Sequence, residues 1–88
     1  MMKQLNDYTE NEFYEFLLGI CRADGRLYPT ERSHINAVLE FERLTGHPAG
    51  SDLIYRAKKL GIEETPRGML NEVKRWRAEQ GLPGFKDS

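Results

Sequence analysis

The sequence predicts an all-α fold. Apolar residues recur at helical spacing in three stretches, each stretch opens on a threonine suited to cap a helix, and no segment alternates with the period of two that a strand requires. The first stretch starts at Thr9, which stands in capping-box spacing with Glu12, so two side chains satisfy the free amides of the opening turn. Phe13, Phe16, Leu17 and Ile20 share one face, with Glu15 and Arg22 on the other. Asp24-Gly25 is expected to stop it, because glycine enters the left-handed region cheaply.

The second stretch follows Pro29, with Thr30 as cap and Glu31 in the first turn, where the helix dipole favours an acid. It runs to about Thr45, and Gly46 with Pro48 ends it. The third long stretch starts at Thr65 with Pro66 in the first helical position. Met69, Leu70, Val73 and Trp76 form its stripe and Gly81 closes it. Between these lies His47 to Glu64, where Ser51-Asp52 could cap a single turn through Tyr55. The expected core is Phe16, Ile20, Phe41, Val73 and Trp76.

Bulk composition narrows the function. A chain of 88 residues makes one domain, 1–88, with one modest core and little room for an enclosed active site. A formal net charge of −1 argues against general nucleic-acid binding, which needs a strong cationic field. No apolar run approaches the roughly 18 residues of a membrane span, and Met1 to Asp7 lacks a signal-peptide core, so a cytoplasmic protein with no membrane partner is expected. Cys21 is single and, beside the apolar face of the first helix, is expected to be buried and inert. His34 and His47 have no Cys, Asp or Glu at a recognised metal spacing, and no phosphate-cradling glycine loop is present. Arg75-Trp76-Arg77 reads as a core tryptophan between a solvated arginine and one laid along the core edge, with a basic-aromatic nucleic-acid contact as the alternative. Without a catalytic constellation, the expectation is a non-enzyme with no cofactor and no metal.

Two places are unusual. Apolar residues cover roughly 220° of the second helix at about 100° per residue, with Ala37, Phe41 and Leu44 on one side and Ile35, Val38 and Leu39 on an adjoining side. Glu31 and Glu42 are set within the outer side. That mixture suits a partner with basic groups around an apolar spot, or else both sides are buried in a crowded bundle. The second place is Gly50 to Arg56, where Tyr55 and Arg56, both residue types enriched at binding hot spots, sit side by side on a short turn; the alternative is a loop tyrosine packed on the core edge.

The same segments resemble the colicin/pyocin nuclease immunity proteins. The resemblance rests on Asp7-Tyr8-Thr9-Glu10 followed by Glu12-Phe13, on Ile20-Cys21 with Ala23-Asp24, on His47-Pro48-Ala49-Gly50-Ser51-Asp52-Leu53-Ile54-Tyr55, and on Val73-Lys74-Arg75-Trp76-Arg77-Ala78 with Gly84-Phe85-Lys86. It runs colinearly over nearly the whole chain, and the His-Pro-x-Gly-Ser-Asp-Leu-Ile-Tyr run is its specific part. It implies a distorted antiparallel four-helix bundle with a very short third helix. It also implies an inhibitor that forms a heterodimer with the C-terminal nuclease domain of a cognate bacteriocin, docking beside the active site and excluding DNA by bulk and negative potential; the resemblance points to a DNase, with an RNase-type bacteriocin as the alternative. A monomer when free, held in the cytoplasm and released bound to the toxin, goes with that implication.

By the same resemblance, Glu31, His34, Ile35, Val38, Leu39 and Glu42 on the second helix set toxin specificity, and Ser51, Asp52 and Tyr55 form the shared anchor. Arg56-Ala57 stands where the family carries a second tyrosine and a proline, and Arg56 is counted with the anchor. Lys58-Lys59 replaces a loop that is often acidic, so this interface is more basic. Rival expectations are a helical adaptor using the same patch and a nucleic-acid module using Arg75-Trp76-Arg77 with Lys58-Lys59.

Overall fold

The computed structural model describes residues 4–86; Met1 to Lys3, at the polar start, and Asp87 and Ser88 lie outside the described residues. Four α-helices follow one another: α1 (Glu10–Arg22), α2 (Glu31–Thr45), α3 (Asp52–Tyr55) and α4 (Pro66–Glu79). Short 3₁₀ turns at Leu5–Asp7 and Lys58–Leu60 add to the expected elements, being too short for periodicity to register. Among the described residues the only extended pairing is an isolated bridge between Thr9 and Lys86, where Lys86 N donates to Tyr8 O at 2.7 Å. The fold is the four-helix arrangement with a one-turn third helix.

The three threonines act as caps. Thr9 Oγ1 accepts from Glu12 N and the Glu12 carboxylate accepts from Thr9 N, a complete capping box. Thr30 does the same with Ser33. Thr65 accepts from Gly68 N with Pro66 opening α4. Ser51 departs from expectation: it has helical dihedrals and makes no cap bond, because the His47–Gly50 turn already leads the backbone into α3.

Phe13, Leu17 and Ile20 of α1, Ala37, Phe41 and Leu44 of α2, Leu53 of α3 and Met69, Leu70 and Val73 of α4 build the core. Phe13 lies at its centre, with the rings of Phe41 and Phe85 at 5.9 and 5.4 Å. Of the five expected core residues, Ile20, Phe41 and Val73 are buried, whereas Phe16 and Trp76 are half-buried. Each sits at the rim of its stripe, Phe16 against Tyr8 and Trp76 against His47. The end of α1 also differs. The left-handed residue is Ala23 (φ 48°), and Gly25 keeps an ordinary φ. Cys21 is an exposed residue, not a buried one; its Sγ turns toward Met69 Sδ at 3.7 Å, and that partial burial pushes the thiol pKa up.

α4 fastens the other helices. Arg67 and Lys74 both reach Glu10 at the start of α1, at 3.2 and 2.6 Å. Arg77, expected to lie along the core edge, also joins separate parts of the chain. Its guanidinium donates to the carbonyls of Thr45 (2.7 Å) and Pro83 (2.8 Å), which caps the open end of α2 and holds the tail. Burial lowers the Arg77 pKa from its ordinary value.

Candidate protein-binding surface

The outer side of α2 is largely as the sequence suggests. Ile35 and Leu39 are 48% and 56% exposed. With Glu31, Arg32 and Asn36 they line a shallow open depression. Val38 is the exception: it is 5% exposed and belongs to the core, so it can shape the surface only from beneath. Two exposed aliphatic side chains one helical turn apart are held in water at a cost that a partner surface would relieve.

His34 is half-buried and its side chain is committed inward. Its Nε2 lies 2.9 Å from Ile20 O, in the last turn of α1. A carbonyl can only accept, so Nε2 carries the proton. The ring meets Tyr28 edge-on with centroids 5.7 Å apart. His34 therefore joins α2 to the end of α1 and to the loop before it.

Glu42, half-buried at the far end of α2, lies against the backbone that opens α3. An ideal Cβ placed on Gly50 would come within 2.6 Å of Glu42 Oε2. Gly50 also has a positive φ of 54°, so glycine is required there both by conformation and by space. This contact makes the outer side of α2 continuous with α3.

The approach to α3 is organised by His47, which sequence reasoning considered only as a metal ligand. Its Nδ1 accepts from Ala49 N at 3.0 Å, so the proton sits on Nε2, which donates to Glu72 Oε2 at 2.9 Å. The ring packs on Trp76 with centroids 5.1 Å apart. Glu72 is gripped in turn by Arg75, whose hydrogen bonds are the main reason that its carboxyl titrates below the usual range, with His47 adding to the effect. The side chain that reveals this role lies on α4, 25 positions away, where no local motif points to it.

α3 is pegged on one side by Leu53, and the buried Ala57 follows one turn later. Tyr55 is left 60% exposed on the other side. Ser51 and Asp52 are half-buried, and Arg56 is exposed, with its Nε 3.9 Å from Asp52 Oδ1, a loose contact. The structure thus brings Glu31, Ile35, Leu39, Glu42, Ser51, Asp52, Tyr55 and Arg56 to accessible positions on α2 and the adjoining α3. His34 is turned inward and Val38 is buried beneath them. Among the described residues, no group of three His, Cys, Asp or Glu side chains could hold a metal ion, and no helix is long and apolar enough to cross a membrane. What the surface offers chemically is apolar area, an aromatic hydroxyl and paired signs of charge.

The family described as colicin immunity protein / pyocin immunity protein matches residues 5–79. The pyocin-S2 immunity protein of Pseudomonas aeruginosa is 51% identical over 86 residues, 98% of each chain, and the pyocin-S1 immunity protein of the same species is equally similar over the same share. Two solved structures share the fold. A chain from the complex of the mutant pyocin S8 nuclease domain with its cognate immunity protein has a TM-score of 0.85 and 32% identity, covering 98% of this chain and 100% of that one. A chain from the pyocin AP41 DNase–immunity complex has a TM-score of 0.82 and 38% identity, covering 99% and 100%. The chain belongs to the colicin immunity protein / pyocin immunity protein family.

Proposed function

We propose that this chain is a single-domain immunity protein, not an enzyme, that binds the DNase domain of a cognate colicin- or pyocin-type toxin and silences it by docking beside the active site. The observation that carries the reading is the 51% identity to pyocin immunity proteins over 98% of both chains, together with matching folds drawn from nuclease–immunity complexes. The exposed surface supports it. Tyr55 offers a large aromatic area with a polar tip, and residues of this kind carry much of the energy at protein interfaces. Ser51, Asp52 and Arg56 border it. Ile35 and Leu39 give the neighbouring face its shape, Glu31 and Glu42 give it acid, and Val38 and His34 set the height and orientation of that face from below and from the side.

In this reading the protein works by occupancy. It is a monomer when free, a heterodimer with the toxin, and at home in the cytoplasm of the toxin producer. Cleavage of DNA by a panel of purified colicin and pyocin nuclease domains, measured with and without the chain, tests this. One member of the panel should be inhibited at an equimolar ratio with a 1:1 complex on gel filtration, and inhibition of none would overturn it.

A further inference from the structure

The cations on α2, on α4 and in the segment after Tyr55 differ in how they are engaged. Most on α2 and α4 are engaged: Arg43 with Glu40, Arg67 and Lys74 with Glu10, Arg75 with Glu72, and Arg77 with backbone carbonyls, while Arg32 is exposed beside Glu31 and Ile35. The segment directly after Tyr55 is different. Among the described residues Arg56 has only its loose 3.9 Å contact with Asp52, and Lys58 and Lys59 are exposed on the 3₁₀ turn. Leu60, in the same turn, is 44% exposed.

This turn is rigidly mounted. Ala57, which leads into it, is buried, and Ala57 O accepts from both Leu60 N (3.0 Å) and Ile62 N (2.9 Å), while Gly61 ends the turn in the left-handed region. The nearest following acid, Glu63, is engaged with Thr65 Oγ1 at the start of α4. A fixed turn of two lysines and a leucine therefore extends the surface already formed by Tyr55 and Arg56.

We infer that the partner interface continues past α3 onto Lys58–Leu60, and that the toxin surface facing this turn carries carboxylates around an apolar contact for Leu60. The inference rests on the preceding reading that the chain binds a toxin nuclease domain. Charge complementarity identifies the occupant. Two lysines and an arginine are too few to hold a polyanion at physiological salt, and Glu31 and Glu42 on the adjoining face would repel one. A folded protein with segregated charge satisfies both ends at once: bases against α2, acids against the turn. Such a two-signed surface also fixes the direction in which the partner docks.

The test is stopped-flow binding of the whole chain and of a Lys58→Glu/Lys59→Glu variant to the nuclease domain selected by the panel above, with circular dichroism to establish that the variant folds. The sign of the effect decides. Each replacement removes two units of charge from a chain that carries −1. If the turn senses only the general field of a basic nuclease, the variant associates faster. If it faces carboxylates, affinity falls about tenfold and Lys58→Ala/Lys59→Ala shows a smaller loss in the same direction. Faster association, or affinity within about twofold of the unaltered chain, would overturn the inference while leaving the preceding reading intact. Retention of a short DNA duplex at low salt by the unaltered chain, abolished by the variant without change in toxin binding, would assign the turn to nucleic acid and overturn it as well. Failure of the unaltered chain to bind any nuclease domain would remove the preceding reading and this inference together.

Discussion

His47 and Glu72 meet at 2.9 Å across the chain, and through that contact the loop leading into α3 is fastened to α4. The Glu72 carboxyl titrates below its ordinary 4.5 in the folded protein, chiefly because of Arg75 and further because of His47. A carboxyl depressed by folding contributes stability above its unfolded pKa and loses it as the pH falls toward the folded value. Resistance to urea should therefore weaken on acidification below about pH 4.5, in the range where carboxylates titrate. Glu72→Gln should be less stable at neutral pH and show a shallower acid limb. An unchanged limb would mean that other carboxyls control acid stability.

Gly50→Ala should be costly. The left-handed backbone alone penalises a Cβ by about 1–2 kcal/mol, and the collision with Glu42 adds to it. We expect a loss of about 2 kcal/mol in urea denaturation, and faster toxin dissociation because Glu42 must swing away. Wild-type stability would show that the turn relaxes freely.

Tyr55→Ala should leave the fold intact, since the side chain is mostly in water, and should cost at least about 2 kcal/mol of toxin binding, as truncation of a central aromatic anchor commonly does. Isothermal titration against the nuclease domain measures it. An unaltered affinity would remove Tyr55 from the anchor.

Exchange of the α2 residues Glu31, His34, Ile35, Val38, Leu39 and Glu42 for those of a relative should move preference toward that relative's toxin, mainly through dissociation rates. The structure refines the expectation. Ile35 and Leu39 alone should carry much of the switch, whereas exchange of Val38 alone should act largely through stability, because it is in the core. Stopped-flow binding to both toxins separates these outcomes; a folded chimera with its original preference would place specificity elsewhere.

Ala23→Gly should stabilise the protein. Ala23 ends α1 in the left-handed region, where a methyl group is unfavourable. Relief of that strain, less the entropy that glycine adds to the unfolded chain, should give about 0.5–1 kcal/mol. For a domain of this size that is roughly 3–6 °C in Tm by calorimetry, with toxin binding unchanged. No rise in Tm would mean that the bend carries little strain.

The helices were readable because their signals are local. Thr9, Thr30 and Thr65 each bond an amide three residues on, so a short window contains the whole cap. The exposure of Ile35 and Leu39 was readable because the apolar arc of α2 is wider than one core contact can cover. Val38 was misplaced with them: it lies at the boundary between the two sides, and periodicity cannot say where a neighbouring helix stops. Ala23 was missed because glycine two residues later is the better left-handed residue by sterics, yet the carbonyls that needed partners, Gly19 and Ile20, receive the Ala23 amide. The contacts of His47 with Glu72, of Arg77 with Thr45 and of His34 with Ile20 were illegible because these partners lie 25, 32 and 14 positions away.

The clamps made by α4 also bear on how such a protein can change over generations. Arg77 fixes the end of α2 from behind, and Glu72 fixes the loop into α3 from behind, so neither depends on the side chains that α2 turns outward. Mutations at Ile35 or Leu39 can alter the shape offered to a partner without displacing Tyr55. If Tyr55 anchors the toxin and Ile35 and Leu39 select it, as proposed, diversification and retention rest on separate mechanical supports, and a lineage could follow a drifting toxin by single steps on α2 while keeping its grip.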